Sequence, residues 1–512
     1  MPARILFIGA DSLDKDLVLR WADDGTLPTF RRLLASAAWG ITENPPGLFV
    51  GAVWPSFWTS VSPARHARYC YEQLRPGSYE TVRIHPTDTQ APAFWDALSR
   101  AGRRLAIIDV PKSYVARGLN GVQVVDWGTH DPDFEGPVTW PESLATDLVE
   151  RYGRDDVGNC NRHGRAGEYE QLRDQLVARV ERKKRMILDT LESGSWDAVI
   201  GVFSESHCVG HQCWHVHDPS HARHDAALAA RIGDPMRDVY VAIDRAIGEL
   251  IGRAGSGTDV IVLGSHGMRS HYDATFLLDQ MLRRIEKPRA ASAIMSGTPS
   301  TASMAKRVWK RTPPGVRRLL APFKAAARAR LGVDDTAMRR FFPVPNNDAY
   351  GAIRLNLAGR EPNGRVTRAE FDAVCAGLER DLLAFSNLET GEPVVRRVWR
   401  ADEFYRGPCV DHLPDLVVEW NRDAPVSRIR SDKTGEIAGV YRKTRTGDHS
   451  PHGIFFVHAP GVVAGPVNRA VSIMDFGPTI AERLNAPLSD VDGRSFADVV
   501  FGGRDPSRAT AW

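Results

Sequence analysis

Ala198-Val-Ile-Gly-Val-Phe203-Ser-Glu205-Ser-His207 is an unbroken apolar run that gives way abruptly to polar, chemically capable residues. A run that is apolar at every position, rather than at alternate ones, suits a strand covered on both faces. The pattern recurs: residues 5–9 precede Asp11, 105–108 precede Asp109 and 260–264 precede Ser265-His266, with later runs at 416–419 and 454–457. Helix-length segments separate the runs, so the sequence predicts an α/β fold with a central, mostly parallel sheet flanked by helices. Such sheets bind ligands beyond the carboxyl ends of their strands. Asp11, Glu205 with His207, and Ser265 with His266 are expected at that edge.

Three segments interrupt the alternation. Residues 40–95 are rich in Trp, Pro and Tyr and read as an active-site loop or cap with short helices. Residues 345–413 hold an amphipathic pattern at 368–384 beside a short strand at 353–357. Residues 283–340 carry 15 Lys or Arg against Glu286, Asp334 and Asp335, a net of +12, which leaves about −9 on the remaining chain. A solvated basic insertion is the favoured reading of that segment, ahead of a nucleic-acid or membrane-surface contact. The expected organisation is one α/β domain from 1–282 and 341–500, inserted cap segments, and a tail at 501–512.

Composition narrows the class without naming a partner. The 512 residues are 43% hydrophobic and 25% charged, ordinary values for a globular protein, and the formal net charge is only +3. No apolar run approaches the roughly 20 residues of a membrane span. Six cysteines without a CxxC pair make no disulfide framework, and the first residues lack a signal-peptide pattern, so a cytoplasmic location with reduced thiols is expected.

Histidine is the informative residue. Six of the 16 histidines fall between positions 201 and 225. His207 and His211 stand one helical turn apart directly after a buried strand, a spacing that lets two imidazoles hold one divalent ion. His215 continues the same face, whereas His217, His221 and His224 read as polar surface. His266 follows another buried strand in Gly-Ser-His-Gly, and His449 sits in the turn-rich Thr446-Gly-Asp-His-Ser-Pro. Cys208 and Cys213 flank the histidine pair and read as small buried residues, with thiolate ligation an alternative. Phosphate-binding loops, strand-led GxGxxG and GxSxG elbows are all missing from the sequence.

In this order, the motifs resemble the alkaline phosphatase superfamily, in particular its type I phosphodiesterase/nucleotide pyrophosphatase branch. Carrying the resemblance are Ile8-Gly-Ala-Asp11, Trp54-Pro-Ser-Phe-Trp-Thr-Ser-Val-Ser-Pro-Ala-Arg-His66, Arg354-Leu-Asn-Leu-Ala-Gly-Arg-Glu-Pro-Asn-Gly-Arg-Val366, Asp415-Leu-Val-Val-Glu-Trp420 and Ser472-Ile-Met-Asp-Phe-Gly-Pro-Thr-Ile480. The resemblance implies two divalent ions and a Thr or Ser nucleophile. Asp11 and His266 match the first ion's ligands; His211 and His449 match the second's. Three positions depart from the pattern: His207 and Ser265 stand where the family has Asp, and Val50 falls at the nucleophile's position.

These departures lead to one expected zinc (manganese as an alternative) at His207, His211 and His449, and a weak or empty place for a second ion at Asp11, Ser265 and His266. The implied activity is hydrolysis of phosphodiester-type or related phosphate or sulfate esters by a metal-activated water, on a small anionic substrate. Glu205 or Asp11 is the expected base, and Ser56, with Thr59 or Thr42, a substitute hydroxyl. The alternatives are lyase-type chemistry on a small anionic metabolite, or a remodelled non-catalytic binding protein.

Overall fold

The computed structural model describes residues 4–158, 160–162, 165–286 and 335–501. Most of the basic segment (287–334) and nearly all of the tail (502–512) lie outside the described residues. The main sheet contains β1 (Ile5–Ala10), β2 (Ala38–Glu43), β3 (Leu105–Ile108), β4 (Gly121–Val125), β5 (Val138–Trp140), β6 (Ala198–Phe203), β7 (Asp259–Gly264) and β8 (Gly453–His458). Their order across the sheet is β2-β8-β7-β1-β6-β3-β4-β5, with two short strands beside β2. From β7 to β4 all pairs are parallel; β8 and β5 run against their neighbours.

Period-two alternation within β1 explains why the strand reads as continuously apolar. Leu6 and Ile8 face one helical layer, while Ile5 and Phe7 face the other. The first layer contains α2 (Ala166–Glu192) and α4 (Pro235–Ala254); the second contains α1 (Phe49–Thr59) and the helices Phe94–Arg100 and Phe476–Arg483. Each fully buried Leu, Ile or Phe in these layers contributes about 1.5–3 kcal/mol. Covering both faces leaves only the strand ends for polar chemistry.

Register places those ends level. Ala10 pairs with Phe203 on one side and Gly264 on the other. Asp11 N donates to Phe203 O at 2.8 Å, and Ser265 N donates to Ala10 O at 3.0 Å, so Asp11, Ser204 and Ser265 leave the sheet side by side.

The 416–419 run does not join the parallel succession. Leu416–Trp420 pairs antiparallel with Tyr350–Leu355 and Val395–Arg400 in a separate four-stranded sheet. Both faces of a strand can be buried in either kind of sheet, so apolar continuity did not distinguish them. The amphipathic helix expected at 368–384 forms as Phe371–Leu383 and packs its Phe371, Cys375, Leu378 and Leu382 into this second core. Within 40–95, expected as a loop or cap with short helices, lie α1, 11 residues long, and the short helix Pro63–His66. No helix among the described residues is long and apolar enough to cross a membrane.

Candidate metal centre

α3 (Glu205–His217) starts one residue after β6 and carries His207 and His211 on one face. His449 reaches the same place from the strand Gly447–Ser450, which pairs with Gly267–Ser270 so that Met268 lies opposite His449. Close approach of this two-stranded sheet to α3 depends on Gly447: a Cβ there would stand 2.2 Å from Gly210 O. One ligand atom from each of His207, His211 and His449 can be chosen so that all lie within 4.8 Å of one another.

The rings are held in ligand-ready form. His211 Nδ1 donates to Gly447 O at 2.8 Å, which turns its Nε2 to face His449 Nε2 at 3.1 Å. Two imidazole nitrogens on a tetrahedral zinc stand about 3.3 Å apart. Burial first, then neighbouring cationic groups, holds the pKa of His207, His211 and His449 well below the usual imidazole range. Neutral imidazole is the form that binds metal. His207 Nδ1 is buried without a hydrogen-bond partner. An orphaned ring nitrogen among converging histidines is satisfied by an ion, so the residues present fit a divalent metal.

The adjoining group is Asp11, Ser265 and His266. Ser265 Oγ donates to Asp11 Oδ1 at 3.1 Å and lies 2.9 Å from His266 Nδ1, while Trp54 Nε1 donates to the same Asp11 oxygen at 2.9 Å. His266 Nε2 faces His449 Nδ1 at 2.9 Å, which makes the two groups continuous. Ser12, absent from the sequence reading, sits at their junction: its Oγ is 2.8 Å from His266 Nε2 and 3.2 Å from His449 Nδ1. A hydroxyl in a strand-to-helix turn gives no signal of its own in the sequence.

Several expected residues stand apart from this group. Glu205 is fully buried, its Oε1 2.8 Å from Arg179 Nε and 3.6 Å from Lys183 Nζ, and it does not line the cavity. Two buried cations from α2 hold this carboxylate, which places it in the scaffold and not in reach of a substrate proton. Ser56 Oγ lies 2.9 Å from His66 Nε2 inside the core, and Thr59 Oγ1 donates to Pro55 O. Thr42 Oγ1 is buried without a partner. Val50, matched to the nucleophile's position by the resemblance, lines the cavity with Gly51 and Trp54. His215 is drawn off to Thr446 Oγ1 at 3.0 Å, and His221, expected on the surface, is buried and stacked on Tyr272.

The cavity occupies about 720 Å³ and reaches His207, His449 and Asp448, but not Asp11, Ser12, Ser265 or His266. Phe49 covers that second half, its ring 5.6 Å from His266. Arg68, Arg83, Lys112, Arg442, Lys443 and Arg445 form a cationic wall. Asp131 and Asp133 neutralise Arg83 and Lys112, and Asp348 neutralises Lys443. Arg68 is different: it is 2% exposed, its Nε has no hydrogen-bond partner, and no carboxylate lies within ion-pair distance among the described residues. Burial lowers its pKa to about 10, so it remains a cation at neutral pH.

Comparison with solved structures shows the same fold in distant proteins. Phosphonoacetate hydrolase from Sinorhizobium meliloti 1021, solved with phosphonoacetate, aligns with a TM-score of 0.52 at 16% identity over 95% of this chain and 96% of that one. Murine ectonucleotide pyrophosphatase/phosphodiesterase 5 aligns with a TM-score of 0.50 at 12% identity over 97% and 100%. No protein of curated function matches the sequence. The type I phosphodiesterase/nucleotide pyrophosphatase family matches residues 5–452, most of the chain. The protein is thus a phosphodiesterase-like enzyme of the phosphoric ester hydrolase class, and it belongs to the type I phosphodiesterase/nucleotide pyrophosphatase family.

Proposed function

We propose that the protein hydrolyses a small anionic phosphoric ester at a single divalent ion, zinc in the first instance, held by His207, His211 and His449. The observation that carries this reading is the convergence of three neutral histidines, one with an orphaned nitrogen, beside a cationic cavity that His207 and His449 line. An ion there supplies Lewis acidity toward the ester and makes water acidic enough to attack near neutral pH.

The chain's own residues do the rest. Arg68, with Arg442 and Arg445, binds the anionic oxygens of the substrate. Asp448 lines the cavity next to His449 and has, among the described residues, only a 3.8 Å ion pair, to Arg422, so its carboxylate accepts the proton of the attacking water. Asp11, fixed by Trp54 and Ser265, orients His266, which with Ser12 fixes the His449 ring. Val50 offers no nucleophilic atom, so the route passes through no phosphorylated side chain.

Metal content of wild type and His211→Ala, with turnover of a phosphodiester such as bis(p-nitrophenyl) phosphate, tests the reading. Loss of one metal per chain together with turnover is expected in the variant. Full metal content in His211→Ala, or equal turnover by metal-free wild type, overturns it.

A further inference from the structure

Beyond this centre, we propose that His130, Cys160 and Cys208 form a second metal site, specific for a thiophilic divalent cation such as zinc. The three side chains come from separate parts of the chain: the loop after β4, the segment before α2, and α3. One ligand atom of each lies within 4.8 Å of the others. Cys160 Sγ and Cys208 Sγ stand 3.2 and 3.6 Å from the same nitrogen, His130 Nδ1. A tetrahedral zinc with bonds of about 2.3 Å to sulfur and about 2.05 Å to nitrogen separates those atoms by about 3.6 Å.

Burial and charge agree with that geometry. Cys160 is 0% and Cys208 1% exposed, while His130 is half-buried and lines the cavity. Two thiolates and one divalent cation sum to zero charge, a combination that a buried site accepts without a counter-ion. Arg179 Nη2 lies 3.7 Å from Cys208 Sγ. Arg445 Nη2 lies 3.4 Å from His130 Nε2. Metal on Nδ1 requires a proton on Nε2, so this half-exposed arginine must swing away, into the cavity it already lines.

Position gives the site its meaning. His266, His449, His207 and His130 form a row with successive ring centroids 4.6, 5.0 and 4.3 Å apart. At the His266 end, Ser265 stands in a carboxylate's place and the remaining carboxylate of Asp11 is bonded by Ser265 and Trp54. At the His130 end, two thiols supply the anionic ligands. A second ion therefore sits on the other flank of the three-histidine group and reaches the same cavity through His130.

Cobalt(II) titration of the reduced, demetallated full-length protein tests the site, because cobalt bound to thiolate gives a near-ultraviolet charge-transfer band. Two cobalt ions per chain and that band are expected in wild type. Cys160→Ser and Cys208→Ser each lose the band and one ion, while His211→Ala retains the band. A wild type that binds one cobalt without the band overturns the thiolate site and leaves the three-histidine centre standing. Persistence of a Cys160–Cys208 disulfide under reduction also overturns it. Since the decisive spectrum is that of wild type, a variant that fails to fold does not rescue the proposal.

Discussion

Ser12 Oγ lies 2.8 Å from His266 Nε2, and the residue that makes this contact has φ of 57°. A serine in the left-handed region costs about 1–2 kcal/mol relative to the relaxed backbone, yet it is placed where its hydroxyl ties His266 to His449. Ser12→Gly removes the hydroxyl and suits the backbone. Thermal stability should hold or rise, metal content should be unchanged, and turnover should fall about 10–100-fold, the effect of releasing a ligand's orienting partner. Unchanged turnover would show that the histidines need no such tie.

Glu205→Gln should behave in the opposite way. Arg179 and Lys183 lose one of the carboxylates that balance them, while Asp155 stays 3.4 Å from Arg179 Nη1 and Asp109 2.7 Å from Lys183 Nζ, so the cost should be about 1–3 kcal/mol. Chemical denaturation should register that loss, while metal content and turnover per folded molecule stay at wild-type values. A large fall in turnover of the folded variant would restore a role in proton transfer.

Arg68→Met should raise KM for a phosphodiester about 10–100-fold with little change in kcat, since a hydrogen bond to a charged group is worth about 1.5–3 kcal/mol. The side chain is buried without an acidic partner, so its removal should not lower stability. Steady-state kinetics together with a melting curve separates the two effects.

His66 gives the fold a pH dependence of its own. Arg68 N donates to His66 Nδ1 at 3.1 Å, which leaves the other ring nitrogen to donate to Ser56 Oγ. Burial, then the Arg68 charge, lowers its pKa from 6.5 to about 3. Between those values the unfolded chain binds the proton and the folded chain does not, so stability falls as pH drops from about 6.5 toward about 3, by up to about 1.4 kcal/mol per unit. Denaturation of His66→Gln across that window should show a shallower slope; identical slopes would assign the dependence to other groups.

Hydrolysis at a chiral phosphorothioate ester should invert configuration, because Val50 leaves one displacement in place of two. Retention would reveal a hidden side-chain nucleophile, and mass spectrometry of the quenched reaction would then locate it.

Much of this was legible in the sequence because it is local. Continuous apolar runs located β1, β6 and β7, and their ends located Asp11, His207 and Ser265. One helical turn between His207 and His211 was enough to predict their convergence. His449 needed the family resemblance, since nothing in a turn announces what it faces. Glu205 was ambiguous for a physical reason: a carboxylate after a strand looks the same whether it meets a substrate or a buried arginine 26 residues earlier. Ser12, His130 and Cys160 gain their meaning only from tertiary neighbours, and the 416–419 run could not say which sheet it would join.

The strand that presents His449 also bears on the order in which the proposed centre could form. His211 and His449 are 238 residues apart, yet their ring nitrogens are in contact. β1, β6 and α3 are made long before His449, so an ion at the proposed centre would at first have only His207 and His211 on the nascent helix. On the reading proposed above, tight loading would follow the synthesis and folding of the strand that carries His449.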